Sequence, residues 1–380
     1  MRIGIDGIPL HYLKTGIGHY TFEVARCLAL ASPSDEFELI SPHPFIFQPG
    51  DASDQELPTN LRAVRVEANL LERRWWSIGL PRYIKRHPLA LFHGTNFEVP
   101  LWKRCPTVLT IHDLSALLYP EKHQRRFRYR TRLLLPLMSR TATMIVTPSE
   151  SVRREVCEHL HVTPEKVVAV PEAARRIFRQ MSLEQTVATR KRFGVEDEFL
   201  LYVGTIEPRK NLLTLVRAFV EILRTTNHRP QLVIAGKKGW LSDELYAYIK
   251  ASETSDRILF TGYVTDEELC ALYSSCRAFV YPSLYEGFGL PPLEATACGA
   301  PVIASDIGSI RETMGKAARL IDPKDVNALA RSIIRLLEDD GERQRLSSAG
   351  LKHAAGFSWE RTARALREVY DEARRRDGAT

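Results

Sequence analysis

Ala278-Phe279-Val280-Tyr281-Pro282-Ser283-Leu284-Tyr285-Glu286-Gly287-Phe288-Gly289-Leu290-Pro291-Pro292-Leu293-Glu294 is the stretch from which the 380-residue chain is read. The apolar run reads as a strand ending at Tyr281. A glycine loop follows, and then a helix: Pro291 or Pro292 suits a first helical turn, where a missing N–H costs nothing, and Gly299 can end it. Backbone N–H groups from Gly287 to Leu290 would point out of the helix start, where the helix dipole favours an anion. The two glycines let a phosphate approach the main chain closely. Glu286 precedes the loop and Glu294 lies in the first helical turn. Carboxylates touching a phosphate would repel it, so they read as acceptors for hydroxyls on either side of a diphosphate, a sugar's on one side and a ribose's on the other. Glu294 alone has a plainer reading as a helix-dipole partner.

Outward from this unit, strand and helix alternate along the chain. Strand-like runs fall at Phe37–Ser41, Ala63–Val66, Leu89–His93, Thr107–Ile111, Met144–Thr147 and Val167–Val170, after an opening strand from Met1 to Asp6. A second series falls at Leu200–Val203, Gln231–Ala235, Ile258–Thr261, Ala278–Tyr281, Pro301–Ala304 and Ala318–Ile321. Helical runs separate them, among them Tyr20–Leu30, Ser149–Leu160, Leu212–Arg224, Glu267–Ser274 and Val326–Leu337. Such alternation implies parallel sheets covered by helices on both faces. The expectation is an α/β chain of two doubly wound, Rossmann-like domains facing across a cleft, residues 1–177 and 178–358, with ligand crevices at the carboxyl ends of the strands. The join lies in the polar stretch Pro171–Phe199. Residues 359–376 read as a last amphipathic helix, packed on the second domain or crossing back to the first, and Arg374–Thr380 as a disordered tail.

Composition narrows the class. At 44% hydrophobic and 26% charged the chain is ordinary globular protein and not a disordered one. Its apolar runs fall well short of the roughly 18 residues of a membrane span. The N-terminus reads as a strand and not as a signal peptide. Six scattered cysteines without a C-x-x-C pair read as reduced thiols of a cytoplasmic protein, with no zinc site. The net charge of +7 belongs to the first half: residues 1–180 hold 25 Lys/Arg against 18 Asp/Glu, and residues 181–380 hold 28 of each. Its densest part is Lys122–Arg140, with seven cations and no acid, interleaved with Phe127, Leu133, Leu134, Leu137 and Met138. This basic amphipathic helix suits an anionic membrane or a phosphorylated ligand; a solvated helix face over a core is the plainer alternative. No nucleic-acid recognition motif accompanies the charge.

Three further segments follow strands. In Val203-Gly204-Thr205-Ile206-Glu207-Pro208-Arg209-Lys210-Asn211, Arg209 as a planar fork and Lys210 as a point charge suit a diphosphate. Lys14-Thr15-Gly16-Ile17-Gly18-His19-Tyr20 permits a tight turn and main-chain contact with a ligand, but lacks the third glycine of a dinucleotide fingerprint, which counts against a dehydrogenase. In Thr110-Ile111-His112-Asp113-Leu114, His112 can donate to a sugar or stabilise charge, or be simply structural.

Together, Glu286 and Glu294 at E-x7-E spacing, Glu-Gly-Phe-Gly-Leu-Pro, Glu-Pro-Arg-Lys-Asn, Phe-Thr-Gly-Tyr-Val and Ile-His-Asp-Leu resemble the retaining glycosyltransferases of family four, whose fold is GT-B. The resemblance runs from the Thr-Gly-Ile-Gly segment to Phe357-Ser358-Trp359. Gly236-Lys237-Lys238-Gly239-Trp240 and the Ser283–Gly289 stretch resemble the bacterial mannosyltransferases of O-antigen and exopolysaccharide assembly. The resemblance implies that Arg209 and Lys210 bind the donor diphosphate, Glu286 the donor-sugar hydroxyls and Glu294 the ribose. It places His112, with Asp113, beside the transferred sugar and Gly16 and Gly18 near the acceptor and the donor phosphate. Gly204, Gly287, Phe288, Gly289 and Leu290 would line the donor. No metal or other cofactor is implied. Val264 and Asp266 would meet the base: a carboxylate there accepts two hydrogen bonds from guanine but one from uracil, although Thr265 with Glu268 also reads as a capping box that Asp266 merely opens. Where relatives continue Val170-Pro171 with an apolar residue and Gly, this chain has Glu172-Ala173-Ala174.

The expected activity is transfer of a hexose, mannose from GDP-mannose first and a UDP-sugar (glucose, galactose or GlcNAc) second, to a polyprenyl-linked or oligosaccharide acceptor of surface polysaccharide. The basic helix would lie at the inner face of the plasma membrane. A sugar-nucleotide epimerase on the same fold and an inactive nucleotide-binding scaffold are the rival readings.

Overall fold

A computed structural model describes residues 1–11, 16–46, 57–123, 125–252 and 254–378. The chain divides into two compact units, the first made of Met1–Glu172 with Ser358–Thr380, the second of Ala173–Phe357. The boundary lies five residues before the expected one, for a physical reason. Arg175 forms a bidentate ion pair with Asp266 at 2.5 and 2.7 Å, the Ile177 carbonyl accepts from Cys270 Sγ, and Phe178 packs edge-on against Tyr273. The residues after Glu172 therefore belong to the second unit. The polar join holds a helix, Leu183–Phe193, capped by Ser182 and Gln185 in a reciprocal box and ended by left-handed Gly194.

The first unit is a seven-stranded parallel sheet of β1 (Arg2–Asp6), β2 (Glu36–Ser41), β3 (Leu61–Arg65), β4 (Leu91–Gly94), β5 (Thr107–Thr110), β6 (Met144–Thr147) and β7 (Val167–Ala169) in the order β3-β2-β1-β4-β5-β6-β7. The second is a six-stranded parallel sheet of β8 (Phe199–Val203), β9 (Gln231–Ala235), β10 (Ile258–Gly262), β11 (Ala278–Tyr281), β12 (Val302–Ser305) and β13 (Arg319–Ile321) in the order β10-β9-β8-β11-β12-β13. β8, β9 and β11 are all but wholly buried along their lengths, as expected for strands covered on both faces. In each sheet the chain winds outward one way and then returns to wind the other way. The reversals fall between β1 and β4 and between β8 and β11, and such switch points open a crevice at the carboxyl ends of the strands.

The last helix, Trp359–Gly378, belongs to the first unit. It packs on the helix Gly16–Ala31, sets Trp359 against Tyr20, pairs Arg367 with Asp35 and places the Tyr370 hydroxyl 2.7 Å from His93. The expected disordered tail is helical to Gly378: Asp377 pairs with Lys103 and Arg376 donates to the Glu165 carbonyl. Ala379 and Thr380 lie outside the described residues, as do Lys14 and Thr15 of the first glycine segment. Gly16 and Gly18 form the first turn of a helix and not a loop before one. Among the described residues no helix is long and apolar enough to cross a membrane.

The basic segment forms the helix Arg125–Thr141. Leu135 and Met138 are buried in the core, while Tyr129, Leu133 and Leu137 are 59%, 73% and 45% exposed. Spaced four apart, these three form one outward stripe, with Arg132 and Arg140 also exposed. The side chains of Arg125, Arg126, Phe127 and Arg130 lie outside the described set. Of the apolar residues interleaved with the cations, Met138 therefore belongs to a core, and Leu133 and Leu137 do not.

Candidate functional site

The two strongest sequence motifs leave the carboxyl ends of β8 and β11, the neighbours across the switch point of the second unit. Backbone fixes this crevice first. Gly204 and Gly236, at φ +148° and +149°, approach so closely that a Cβ on Gly236 would lie 2.1 Å from the Gly204 carbonyl oxygen. Gly289, at φ +106°, precedes the helix Leu290–Ala297, and a Cβ there would strike Ile310 at 2.5 Å. Asn211 holds the left-handed conformation that its short amide side chain tolerates, and donates to the carbonyls of Pro282 and Pro323. Leu284 N donates to the Arg209 carbonyl at 2.9 Å. The two loops are thus tied together before any ligand arrives.

The helix Gly308–Met314 aims the glycine loop. Ser309 Oγ donates to the Glu286 carbonyl at 2.6 Å, and Thr313 Oγ1 to the Phe288 carbonyl at 2.8 Å. A trans peptide points its N–H opposite to its C=O, so the N–H groups of Gly287 and Gly289 are directed away from that helix. Prolines 291 and 292 carry no N–H, so the donors of this helix start come from the loop and Leu290, not from the first full turn. Phe288 itself turns inward and packs on Leu293 and Phe357; its side chain serves the core.

Charges meet here as one cluster. Lys210 Nζ donates to Glu286 Oε1 and to the Tyr281 hydroxyl, both at 2.7 Å, and that hydroxyl donates to Glu286 Oε1 at 2.9 Å. Arg209 reaches Glu286 Oε2 at 3.2 Å, Glu207 Oε1 at 2.8 Å and the Tyr285 carbonyl at 2.8 Å. Burial alone would raise the Glu286 carboxyl; Lys210 and Arg209 outweigh it and hold it at about 2. Lys210 moves down as well, because burial and the neighbouring guanidinium outweigh Glu286. Burial works against both charges: two cations on Glu286 overcome it, whereas for Lys210 burial and Arg209 together outweigh Glu286 and the more distant Glu207. The sequence reading gave the cations and Glu286 separate subsites, but the structure joins them. Tyr281, Glu207, Ser309 and Thr313 were missed. Tyr281 and Glu207 stand inside the quoted motifs, where polar groups at strand ends were the available signal; Ser309 and Thr313 carry no local sequence signal.

Glu294 lies eight residues after Glu286, on the helix Leu290–Ala297 but past its first turn, where it was expected. Burial pushes its carboxyl up to about 7, with Arg175 opposing and Asp266 adding to the rise. Asp266 opens its helix behind the expected capping box of Thr265 and Glu268, and both its oxygens accept from Arg175. A lone carboxylate facing a base is therefore corrected to an Arg175–Asp266 pair, in which Arg175 also lies over the Phe178 ring. The Val264 side chain is buried in the core, leaving its main chain for any ligand.

In the first unit His112 follows β5. Its Nδ1 lies 3.2 Å from Glu172 Oε1 and its Nε2 2.8 Å from the Thr95 carbonyl oxygen. Both ring nitrogens are occupied by partners of the first unit, a structural role that the sequence also allowed. Burial alone would lower its pKa, but Glu172 outweighs burial, the Thr95 carbonyl and Asp113 add to the rise, and the shift is upward. Asp113 Oδ1 accepts from Ser115 N at 2.8 Å and Ser115 Oγ at 2.6 Å; this Asx turn leads into the short helix Ser115–Leu118 and gives the carboxylate a local structural task. A Cβ on Gly16 would meet nothing within 4 Å.

The comparisons agree with this architecture. Residues 15–174 match the family described as Glycosyltransferase Family 4, and residues 186–353 that of Glycosyl transferases group 1. The O-antigen chain mannosyltransferase B of Escherichia coli is 33% identical over 95% of this chain and 97% of its own. The serotype-specific mannosyltransferase WbdA of Escherichia coli is also 33% identical over 71% of this chain, a match that spans only 34% of WbdA. Among solved structures, sucrose-phosphate synthase from Thermosynechococcus elongatus superposes with a TM-score of 0.75 at 23% identity, over 98% of each chain. Anabaena HepE in complex with UDP and glucose does so at 0.75 and 18%, over 97% of this chain and 99% of that one. With parallel sheets reversing at β1/β4 and β8/β11 and a mannosyltransferase relative along nearly its whole length, the chain belongs to glycosyltransferase family four and has the GT-B fold.

Proposed function

We propose that this glycosyltransferase moves mannose from GDP-mannose to a polyprenyl-linked or oligosaccharide acceptor of surface polysaccharide, with retention of configuration and without a metal ion. One observation carries the donor site: Arg209, Lys210 and Glu286 converge beside the aimed N–H groups of Gly287 and Gly289 at the β8/β11 switch point. The diphosphate leaves as the bond from the sugar's anomeric carbon to its phosphate oxygen breaks. Arg209, Lys210 and the loop donors meet the charge that develops there. The acceptor hydroxyl forms the new bond on the same sugar face and gives its proton to the departing phosphate oxygen, so no carboxylate acts as nucleophile. Glu286 holds donor-sugar hydroxyls and Glu294 the ribose.

Mannose is supported by the E. coli relatives. The base is supported less directly, since Asp266 is held by Arg175, and this pairing favours keeping UDP-sugars as the second reading. The outward Tyr129, Leu133 and Leu137 stripe among arginines supports peripheral contact with an anionic cytoplasmic leaflet; unchanged flotation with anionic vesicles after Leu133→Asp and Leu137→Asp would remove that contact. The reaction is tested by supplying GDP-mannose, UDP-glucose, UDP-galactose and UDP-GlcNAc in EDTA with lipid-linked glycan acceptors and reading the product anomer by NMR. An α-mannoside from GDP-mannose is expected. Transfer from a UDP-sugar alone moves the donor; inversion or an absolute need for metal overturns the mechanism.

A further inference from the structure

A cavity of about 600 Å³ lies wholly within the first unit, and none of its lining residues belongs to the donor cluster. One wall is sheet. Arg62, Val64 and Val66 alternate along and just past β3, the edge strand, where a period of two puts them on one face. The facing wall is Glu72 and, on the helical segment Trp75–Arg86 and its cap, Trp75, Gly79, Tyr83 and His87 at four-residue steps. This segment opens with an irregular turn. Gly79 N and Leu80 N donate to the carbonyls of Arg74 and Trp75, each five residues back. Such π turns are rare and recur at functional sites. Gly79 also gives the indole room: a Cβ there would lie 2.6 Å from Trp75 Cε3.

Four arginines, Arg2, Arg62, Arg65 and Arg86, line this cavity against two carboxylates, Glu38 and Glu72. Glu38 is fully engaged: Arg2 and Arg62 donate to its Oε1 and the Tyr83 hydroxyl to its Oε2, at 2.5 to 2.9 Å. Glu72 reaches Arg82 and Arg86 only at 3.6 and 3.7 Å, and Arg65 has no carboxylate partner among the described residues. Adding the flanking Glu36 and Arg82 leaves the same surplus of two positive charges, His87 apart. Two buried atoms of the helical wall make no hydrogen bond among the described residues: Trp75 Nε1, a donor, and Glu72 Oε1, an acceptor. Both residues are 6% exposed. A hydroxyl donates and accepts at once, so neighbouring hydroxyls of one ring serve both atoms.

We propose that this cavity is a second carbohydrate site, for a saccharide bearing a phosphate or carboxylate. The ring lies between the Trp75 and Tyr83 wall and Val64 and Val66, its hydroxyls meet Trp75 Nε1 and Glu72 Oε1, and its anionic group meets Arg65 and Arg86. Apolar walls with a few converging polar groups are the ordinary make-up of a small-molecule site, and guanidinium forks suit either anion. A bare anion would use the arginines and leave the walls empty; a lipid chain would leave the two polar atoms unmet. The site does not rest on the donor assignment.

The test is calorimetric titration of the full-length chain with mannose 6-phosphate, glucuronate, mannose and inorganic phosphate. The two charged sugars are expected to bind about tenfold more tightly than mannose or phosphate. Arg65→Ala with Arg86→Ala, both exposed side chains, should abolish the preference for a charged sugar over mannose and leave unchanged whatever stabilisation GDP gives the wild type. Trp75→Phe keeps the aromatic wall, removes the N–H and should weaken binding about fivefold. In 1H–15N NMR the Trp75 indole signal, identified among five tryptophans by its loss in that variant, should move as the charged sugar is added. Failure of both charged sugars to bind, phosphate binding as tightly as mannose 6-phosphate, an undiminished preference in the double arginine variant, or an unchanged Kd in a folded Trp75→Phe overturns the proposal. Should Trp75→Phe fail to fold, the arginine variant decides. A wild-type chain that no nucleotide stabilises defeats the proposed function and leaves this titration to its own result.

Discussion

Replacing Glu286 with glutamine separates binding from transfer. The carboxylate faces Lys210 at 2.7 Å and Arg209 at 3.2 Å, so it neutralises the cations proposed to bind a diphosphate. A carboxylate about 6 Å from a phosphate charge repels it by about 1–3 kcal/mol at an effective dielectric near 20 or somewhat higher. Glutamine keeps the shape and removes that repulsion, so GDP should bind about tenfold more tightly. Transfer should move the other way, falling by about a hundredfold, because the charged acceptor for the donor sugar is gone. Stability should fall too. A carboxyl held at about 2 in the folded chain against an ordinary 4.5 represents about 3 kcal/mol, or about 6–12 °C in the melting temperature of a unit this size. The assay is calorimetric titration with GDP and UDP beside turnover of GDP-mannose. A variant that binds GDP more weakly than the wild type, while still folded, would refute the claim that Glu286 opposes the diphosphate.

Lys210→Ala should lose about 100- to 1,000-fold in turnover, with Lys210→Arg recovering part of it; near-normal turnover in the alanine variant would sink the diphosphate assignment. The pH profile of the ligand-free protein should carry the signature of Glu294. A carboxyl raised to about 7 binds a proton in the folded state that the unfolded chain has already released. Stability therefore falls as pH rises between about 4.5 and 7, by about 2 kcal/mol after allowing for the partial exposure of Glu294. Glu294→Gln should flatten that slope in thermal melts, and an unchanged slope would count against the raised carboxyl. Glu286 has the opposite sign: its contribution is full above about 4.5 and is lost as pH falls toward about 2. Tyr370→Phe leaves buried His93 without one partner and should cost about 1–3 kcal/mol in denaturant unfolding; a neutral effect would mean the last helix is anchored elsewhere.

Architecture was legible because buried parallel strands announce themselves as unbroken apolar runs: Met144–Thr147, Gln231–Ala235 and Ala278–Tyr281 have the same bounds in sequence and structure. Helices with weak stripes were not legible. Leu183–Phe193 looked like a polar join because only Thr186 is buried in it, and its cap, not its periodicity, was the usable signal. The site's residue types were visible, but their pairings were not. Nothing in Arg209-Lys210 says that a carboxylate 76 positions on shares both cations, or in Asp266 that Arg175 holds it. Such contacts are set by strand order, which local sequence does not carry. Glu172 was noticed only as a departure; its partner His112 lies 60 residues earlier and two strands away in the sheet.

The most direct test of the donor site is thermal melting of the full chain in EDTA with GDP, UDP, ADP and NAD at saturating concentration. A ligand at about 100 times its Kd adds about 2.7 kcal/mol to the folded state. A rise of several degrees is expected with GDP, a smaller one with UDP and none with NAD. No rise with any of the three diphosphates would contradict the central claim that the Arg209–Lys210–Glu286 crevice binds a nucleotide-sugar donor.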